Sequence, residues 1–102
     1  MSSILLVDDH AVVRNGLKQM LMEHLGSVIF GEANDAIDAM RQVRHQDWGL
    51  VVLDIRLPGR SGVDVLKQIK SEKPHLPVLI LSSYPESQYA VRLIQAGAAG
   101  YI

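Results

Sequence analysis

ILLVDD at residues 4–9 and LVVLD at residues 50–54 have the same form, a short apolar run that ends on aspartate. Runs of this length are typical of strands buried on both faces of a parallel sheet. Ligands bind such sheets beyond the carboxyl ends of the strands. If the two strands are neighbours, Asp8, Asp9 and Asp54 converge there and repel one another. A divalent cation relieves that repulsion, so the three aspartates predict a metal site.

The rest of the chain alternates short β-type runs with longer helical ones, which predicts βαβ units around one parallel sheet. The predicted strands are residues 3–8, 27–33, 49–54 and 78–82, and AAGYI at residues 98–102 opens a fifth. Four helices are predicted between them. Their inward residues are Val13, Leu17, Leu21 and Leu25 in the first, Ala36, Ala39, Met40 and Val43 in the second, Val65, Leu66 and Ile69 in the third, and Ala90, Val91 and Ile94 in the fourth, at residues 86–96.

Composition limits the function classes. The 102 residues predict a single domain over 1–102, with 48% hydrophobic and 21% charged residues. A formal net charge of −1 gives no electrostatic case for direct nucleic-acid or membrane binding. The absence of Cys excludes disulfides, thiolate catalysis and cysteine-based zinc sites. No signal peptide or membrane span is evident, so we expect a cytoplasmic protein.

The aspartates suit phosphoryl chemistry. Mg²⁺ prefers one or two carboxylates together with waters and phosphate oxygens, and an aspartate can act as a nucleophile towards phosphorus. A lone Asp54 would more often be a cap or a solvated loop residue; the adjacent pair Asp8–Asp9 favours the metal reading. Ser82, after the fourth strand, is either a turn residue or a donor to a phosphoryl oxygen. The histidines lack metal-site spacing and are predicted to be surface or capping residues: His10, His24, His45 and His75.

These motifs resemble a known family. In order and spacing, DD at the first strand, Asp54 followed by LPG, Ser82 at the fourth strand and GAAGY before the fifth resemble the receiver domain of two-component response regulators. The stretch DDHAVVRNGL, residues 8–17, resembles the NarL/FixJ (LuxR-type) subfamily. The resemblance implies an α/β, flavodoxin-like (CheY-like) doubly wound sheet with strand order 2-1-3-4-5.

The resemblance also implies roles for individual residues. Asp54 would accept the phosphoryl group, Asp9 would bind Mg²⁺ directly, and Asp8 would act mostly through water. The backbone carbonyl of Arg56 would complete the protein's ligands to the metal. Such a domain modifies its own aspartate and is not an enzyme that turns over an external substrate.

Switching and partners follow from the same resemblance. Ser82 would move towards the phosphoryl group, and the aromatic ring of Tyr101 would change rotamer with it. The donor would be a sensor histidine kinase or a small acyl phosphate. DNA would be contacted only through an effector domain that this sequence does not contain.

The sequence departs from the family pattern at its C-terminal side. Receivers carry a lysine shortly after the aromatic of the fifth strand, then a fifth helix, and this sequence ends at Ile102. We therefore expect a truncated receiver that exposes apolar surface and forms a homodimer or another self-associated state. Two other functions stay open: a non-phosphorylated interaction module with a receiver fold, and a Mg²⁺-dependent phosphatase of the haloacid dehalogenase type. The latter class has DxDxT where this chain has DDHAV.

Overall fold

A computed structural model describes residues 2–57, 60–81 and 97–101. The described elements form one parallel sheet with the order β2-β1-β3-β4-β5, as predicted. Their bounds are β1 Ser2–Val7, α1 Ala11–Leu25, β2 Val28–Ala33, α2 Ala36–His45, β3 Leu50–Asp54, α3 Gly62–Glu72, β4 Val78–Leu81 and β5 Gly100–Tyr101. The predicted fourth helix lies outside the described residues.

Strand pairing aligns the functional ends of β1 and β3. The two strands are in parallel register, with Val7 opposite Leu53. β1 ends one residue earlier than predicted, at Val7, although the Asp8 N–H still donates to the Ala33 carbonyl of β2 at 3.0 Å. The expected opening of a fifth strand is confirmed, because Tyr101 pairs with Ile80 of β4.

Helices α2 and α3 cover one face of the sheet and bury the apolar stripes predicted for them. Each begins at a side-chain cap: Asp35 accepts from the Asp38 N–H, and Ser61 accepts from the Val63 N–H. Such caps satisfy donors that a helix N-terminus leaves free. Gly62 must lack a side chain, since a Cβ there would lie 2.5 Å from Cα of Ile55. This close approach lets α3 pack directly behind the end of β3.

Helix α1 covers the opposite face less completely. Leu17 and Leu21 pack on the buried side chains of Ile4, Leu6 and Val52, as their spacing predicts. The other two members of the predicted stripe are not buried: Val13 is 40% and Leu25 is 52% exposed. The prediction for them was wrong because a four-residue spacing drifts around the helix, so its outer members leave the contact line. Among the described helices, none is long and apolar enough to span a membrane.

Candidate metal centre

Three carboxylates meet at the carboxyl ends of β1 and β3. Asp8 and Asp9 directly follow β1, and Asp54 is the last residue of β3. Because these strands are adjacent and parallel, one potential ligand atom from each aspartate and one from His10 lie within 4.8 Å of one another. The sequence prediction that the three aspartates converge is confirmed.

Asp8 is the one charged residue that is buried among the described residues, with 3% exposure. Its Oδ1 accepts a hydrogen bond of 2.7 Å from the backbone N–H of His10. A buried carboxylate is costly unless it is hydrogen-bonded or faces a cation. Asp9, with 35% of its side chain exposed, lies beside it and opens towards solvent.

The imidazole of His10 lies between the two neighbouring carboxylates. Its Nδ1 is 3.0 Å from Oδ1 of Asp8 and 2.9 Å from Oδ1 of Asp9. The histidine is exposed and precedes α1 as its N-terminal cap residue, as predicted, but without a side-chain capping hydrogen bond. The sequence places His10 beside the acidic pair, but the spacing of the histidines did not predict that its ring would contact both carboxylates. Direct adjacency to Asp8–Asp9 was the available signal.

The pKa of Asp54 is shifted by its surroundings. Partial burial raises the pKa of its carboxyl, and the negative charges of Asp8 and Asp9 raise it further. The Arg56 N–H, which donates to Asp54 Oδ1 at 2.9 Å, opposes that rise, as does His10. Because the ionised form is disfavoured here, a cation bound near the carboxylate would relieve the cost.

Arg14 is a second residue that the sequence analysis did not assign to the site. Its guanidinium donates to the backbone carbonyl of Asp8 and to Oε1 of Glu32 in β2. The Arg14 side chain is only 13% exposed. Hydrogen bonds from Lys18 and Arg14 hold the pKa of Glu32 below its usual range. The loop that carries Asp8 and Asp9 is thus fastened to α1 and to β2.

The donor set fits a hard divalent cation. Carboxylate oxygens from one buried and two more accessible aspartates are the ligands that Mg²⁺ and Ca²⁺ prefer. Partial burial and the neighbouring carboxylates raise the pKa of Asp54, so a bound cation would favour its ionised form. Arg56 follows β3, as its predicted role requires. Of the two predicted switch residues, Ser82 lies outside the described residues; Tyr101 is placed in β5, and its side chain lies outside them.

Comparisons with known proteins agree with this geometry. Residues 4–102 match the family described as response regulator receiver domain. The chain is 37% identical over 102 residues to the transcriptional regulatory protein YdfI of Bacillus subtilis, covering all of this chain and 47% of that protein. It is 34% identical to a LuxR-family two-component response regulator from Aurantimonas, with a TM-score of 0.92 over 99% of this chain and 72% of that one.

A third similar structure is the response regulator TrrA from Thermotoga maritima, solved in complex with Mg²⁺-BeF. It is 31% identical, with a TM-score of 0.87 over 100% of this chain and 85% of that one. The fold and site define a receiver domain of two-component signalling. The chain belongs to the response regulator receiver domain family, and its relatives include LuxR-type regulators. The chain spans about half the length of the curated relatives it matches.

Proposed function

We propose that residues 1–102 act as one phospho-accepting receiver unit, which takes a phosphoryl group onto Asp54 with the help of Mg²⁺. The observation that carries this proposal is the position of Asp54: it closes β3 with a partly buried carboxylate, within 4.8 Å of ligand atoms from Asp8 and Asp9. The donor is a sensor histidine kinase or a small acyl phosphate. The site modifies its own aspartate and turns over no external substrate.

The proposed roles of the metal-holding residues are those that the resemblance to receiver domains implies. Asp9 faces solvent and is proposed as a direct ligand, whereas buried Asp8 acts through water. Asp54 and the backbone carbonyl of Arg56 complete the protein's share. Mg²⁺, when bound, neutralises charge on the phosphoryl oxygens. The complex of the related TrrA with Mg²⁺-BeF supports this choice of metal.

The chemical step is nucleophilic substitution at phosphorus. A carboxylate oxygen of Asp54 forms a bond to phosphorus, while the bond from phosphorus to the donor's nitrogen or oxygen breaks. The leaving group keeps the electron pair of that bond, and the product is an acyl phosphate. The step needs ionised Asp54, so its raised pKa makes activation by a nearby cation valuable.

Phosphorylation adds a charge of about −1.5 to −2 and strong acceptor oxygens to this sheet edge. We assign the response to Ser82 and Tyr101, and the surface beside the fifth strand would carry the signal to a partner. In a longer protein that partner would be a DNA-binding output domain, which would make the only contact with DNA. The transcriptional relatives of about twice this length support that arrangement. A cytoplasmic location belongs to the same proposal.

Incubation with acetyl phosphate and Mg²⁺, followed by intact-mass spectrometry, tests the proposal. We expect the mass of one phosphoryl group on the wild-type chain, none on Asp54→Asn, and none after chelation of Mg²⁺. Asp47→Asn is the matched control, because Asp47 is an exposed carboxylate just before the amino end of β3. A wild-type chain that stays unmodified would favour the non-phosphorylated interaction module instead. Modification that persists in Asp54→Asn would show that another residue accepts the phosphoryl group.

Self-association is a further part of the proposed function. Large apolar side chains are exposed on α1 and the edge strand β2: Val12, Val13, Met20, Met22, Leu25 and Ile29. Burial of such side chains between two copies would favour a homodimer. Multi-angle light scattering should give a dimer mass that Met20→Lys reduces and that Ile37→Lys, on exposed α2 surface, leaves unchanged. A compact monomer at high concentration would contradict this.

A further inference from the structure

Arg14 joins three separate parts of the molecule. It lies in the first turns of α1, donates through one terminal nitrogen to the carbonyl of Asp8, and donates through Nε to Oε1 of Glu32 at 2.9 Å. Lys18 donates to the other oxygen, Oε2, at 2.8 Å. Glu32 is therefore held on both oxygens, and it offers the guanidinium a fixed counter-charge.

The carbonyl that Arg14 holds belongs to the residue where the chain leaves the sheet. On one side, the Asp8 N–H is fixed by the Ala33 carbonyl at 3.0 Å. On the other side, the Asp8 carbonyl accepts from Arg14. Both contacts lead to β2, one directly and the other through Glu32. With both backbone groups fastened, the directions in which the carboxylates of Asp8 and Asp9 leave the backbone are constrained.

The positive charge of Arg14 lies beside the proposed cation site, so its effect on cation binding has to be considered. A guanidinium beside a cation site weakens cation binding by repulsion unless an anion offsets it. Glu32 is that anion, and its lowered pKa keeps it ionised. Arg14 thus supplies a rigid hydrogen-bond fork, and Glu32 offsets part of the positive charge that Arg14 and Lys18 bring near the site.

We propose that Arg14, paired with Glu32, is a positioning residue of the metal centre. It holds the β1–α1 loop so that Asp8 and Asp9 keep the geometry that binds the divalent cation. This inference rests on the proposed Mg²⁺ site and extends it to residues of α1 and β2. Residues that orient metal ligands contribute roughly 10- to 100-fold to metal affinity in proteins.

Isothermal titration calorimetry of the full chain with Mg²⁺ alone separates positioning from simple electrostatics. The two explanations predict opposite changes in the Mg²⁺ affinity of Arg14→Gln. Removal of a positive charge in Arg14→Gln would strengthen cation binding if charge alone mattered. Positioning requires the Mg²⁺ dissociation constant to rise about tenfold. Arg14→Lys keeps the charge and loses the planar fork, so it should weaken binding as well. Arg44→Gln, an arginine of the last turn of α2 paired with Glu72, is the matched control and should leave the dissociation constant unchanged.

A double-mutant cycle supplies a readout that general destabilisation would not produce. Glu32→Gln should weaken Mg²⁺ binding in the wild-type background and add little in the Arg14→Gln background, since the pair acts as a unit. Melting curves identify a variant that fails to fold; Arg14→Lys then carries the test. The inference about Arg14 is overturned if the Mg²⁺ dissociation constant is unchanged or lower in Arg14→Gln, or if the effects of the two substitutions on Mg²⁺ binding are additive. Either result would leave the proposed function standing. A wild-type chain that binds no Mg²⁺ overturns both this inference and the proposed function.

Discussion

The carboxyl and amino ends of the parallel strands, here called the carboxyl edge and the amino edge of the sheet, differ in how their charges are arranged. At the carboxyl ends of the strands, Asp8, Asp9 and Asp54 crowd together, and the pKa of Asp54 is raised by its partial burial and further by the charges of Asp8 and Asp9. At the amino edge, two ion pairs of opposite charge join neighbouring elements. Arg44 makes two hydrogen bonds of 2.7 Å to Glu72, and Lys73 lies 3.1 Å from Asp47.

The amino edge also holds the single tryptophan of the chain. Trp48 Nε1 donates to the Gln42 carbonyl at 2.9 Å, and its ring packs so closely on β2 that a Cβ at Gly31 would overlap it. Packing and paired charges stabilise the fold, whereas crowded like charges cost stability and are typical of functional sites. The comparison teaches that one edge maintains the structure, whereas the other is the edge to which we assign the proposed chemistry.

The largest expected effect is on stability at the amino edge. Trp48→Ala should lower the free energy of unfolding by about 3 kcal/mol, because it removes a large packed ring and a hydrogen bond. Urea unfolding followed by circular dichroism measures the loss, and Trp48→Phe should cost less. The Mg²⁺ dissociation constant should stay unchanged in both variants. A large change in Mg²⁺ affinity would break the separation between the two edges.

The next effect lies at the carboxyl edge. Mg²⁺ at 100 times its dissociation constant should stabilise the wild-type chain by about 2.7 kcal/mol, since it binds only the folded state. Asp9→Asn should weaken binding by about tenfold or more and so remove at least about 1.3 kcal/mol of that gain at the same Mg²⁺ concentration. Thermal melts with and without Mg²⁺ check this, with Asp47→Asn as the control that retains the full gain. Equal Mg²⁺ stabilisation of both variants would count against a metal site at Asp9.

The smallest effect is the pH dependence of stability without metal. The pKa of Asp54 is higher in the folded than in the unfolded chain, so its ionised form costs stability at neutral pH. Asp54→Asn keeps an acceptor for the Arg56 N–H and removes that charge, so it should melt a few degrees higher at neutral pH. The advantage should shrink as pH falls through the folded pKa towards the unfolded pKa, because wild-type Asp54 becomes protonated in both states. An advantage that grows in acid would refute the assignment.

Much of the fold and part of the site follow from local patterns. The strand runs, the buried stripes of α2 and α3, and the convergence of Asp8, Asp9 and Asp54 were predicted and are confirmed. Strand order came from family resemblance rather than from periodicity. The stripe of α1 was predicted only in part, since Val13 and Leu25 are exposed. The spacing of apolar residues along a helix does not determine how many of them the neighbouring sheet will cover.

Sequence alone predicted where the three carboxylates lie, because an apolar run that ends on aspartate specifies both a buried strand and a carboxylate at its end. Only the tertiary structure decided what surrounds those carboxylates. The imidazole of His10 between Asp8 and Asp9 depends on the turn into α1. The link from Arg14 to Glu32 joins residues far apart in the sequence, through the docking of α1 against β2. Hydrogen bonds and charge pairs of this kind depend on distances in space, which strand and helix periodicities do not encode.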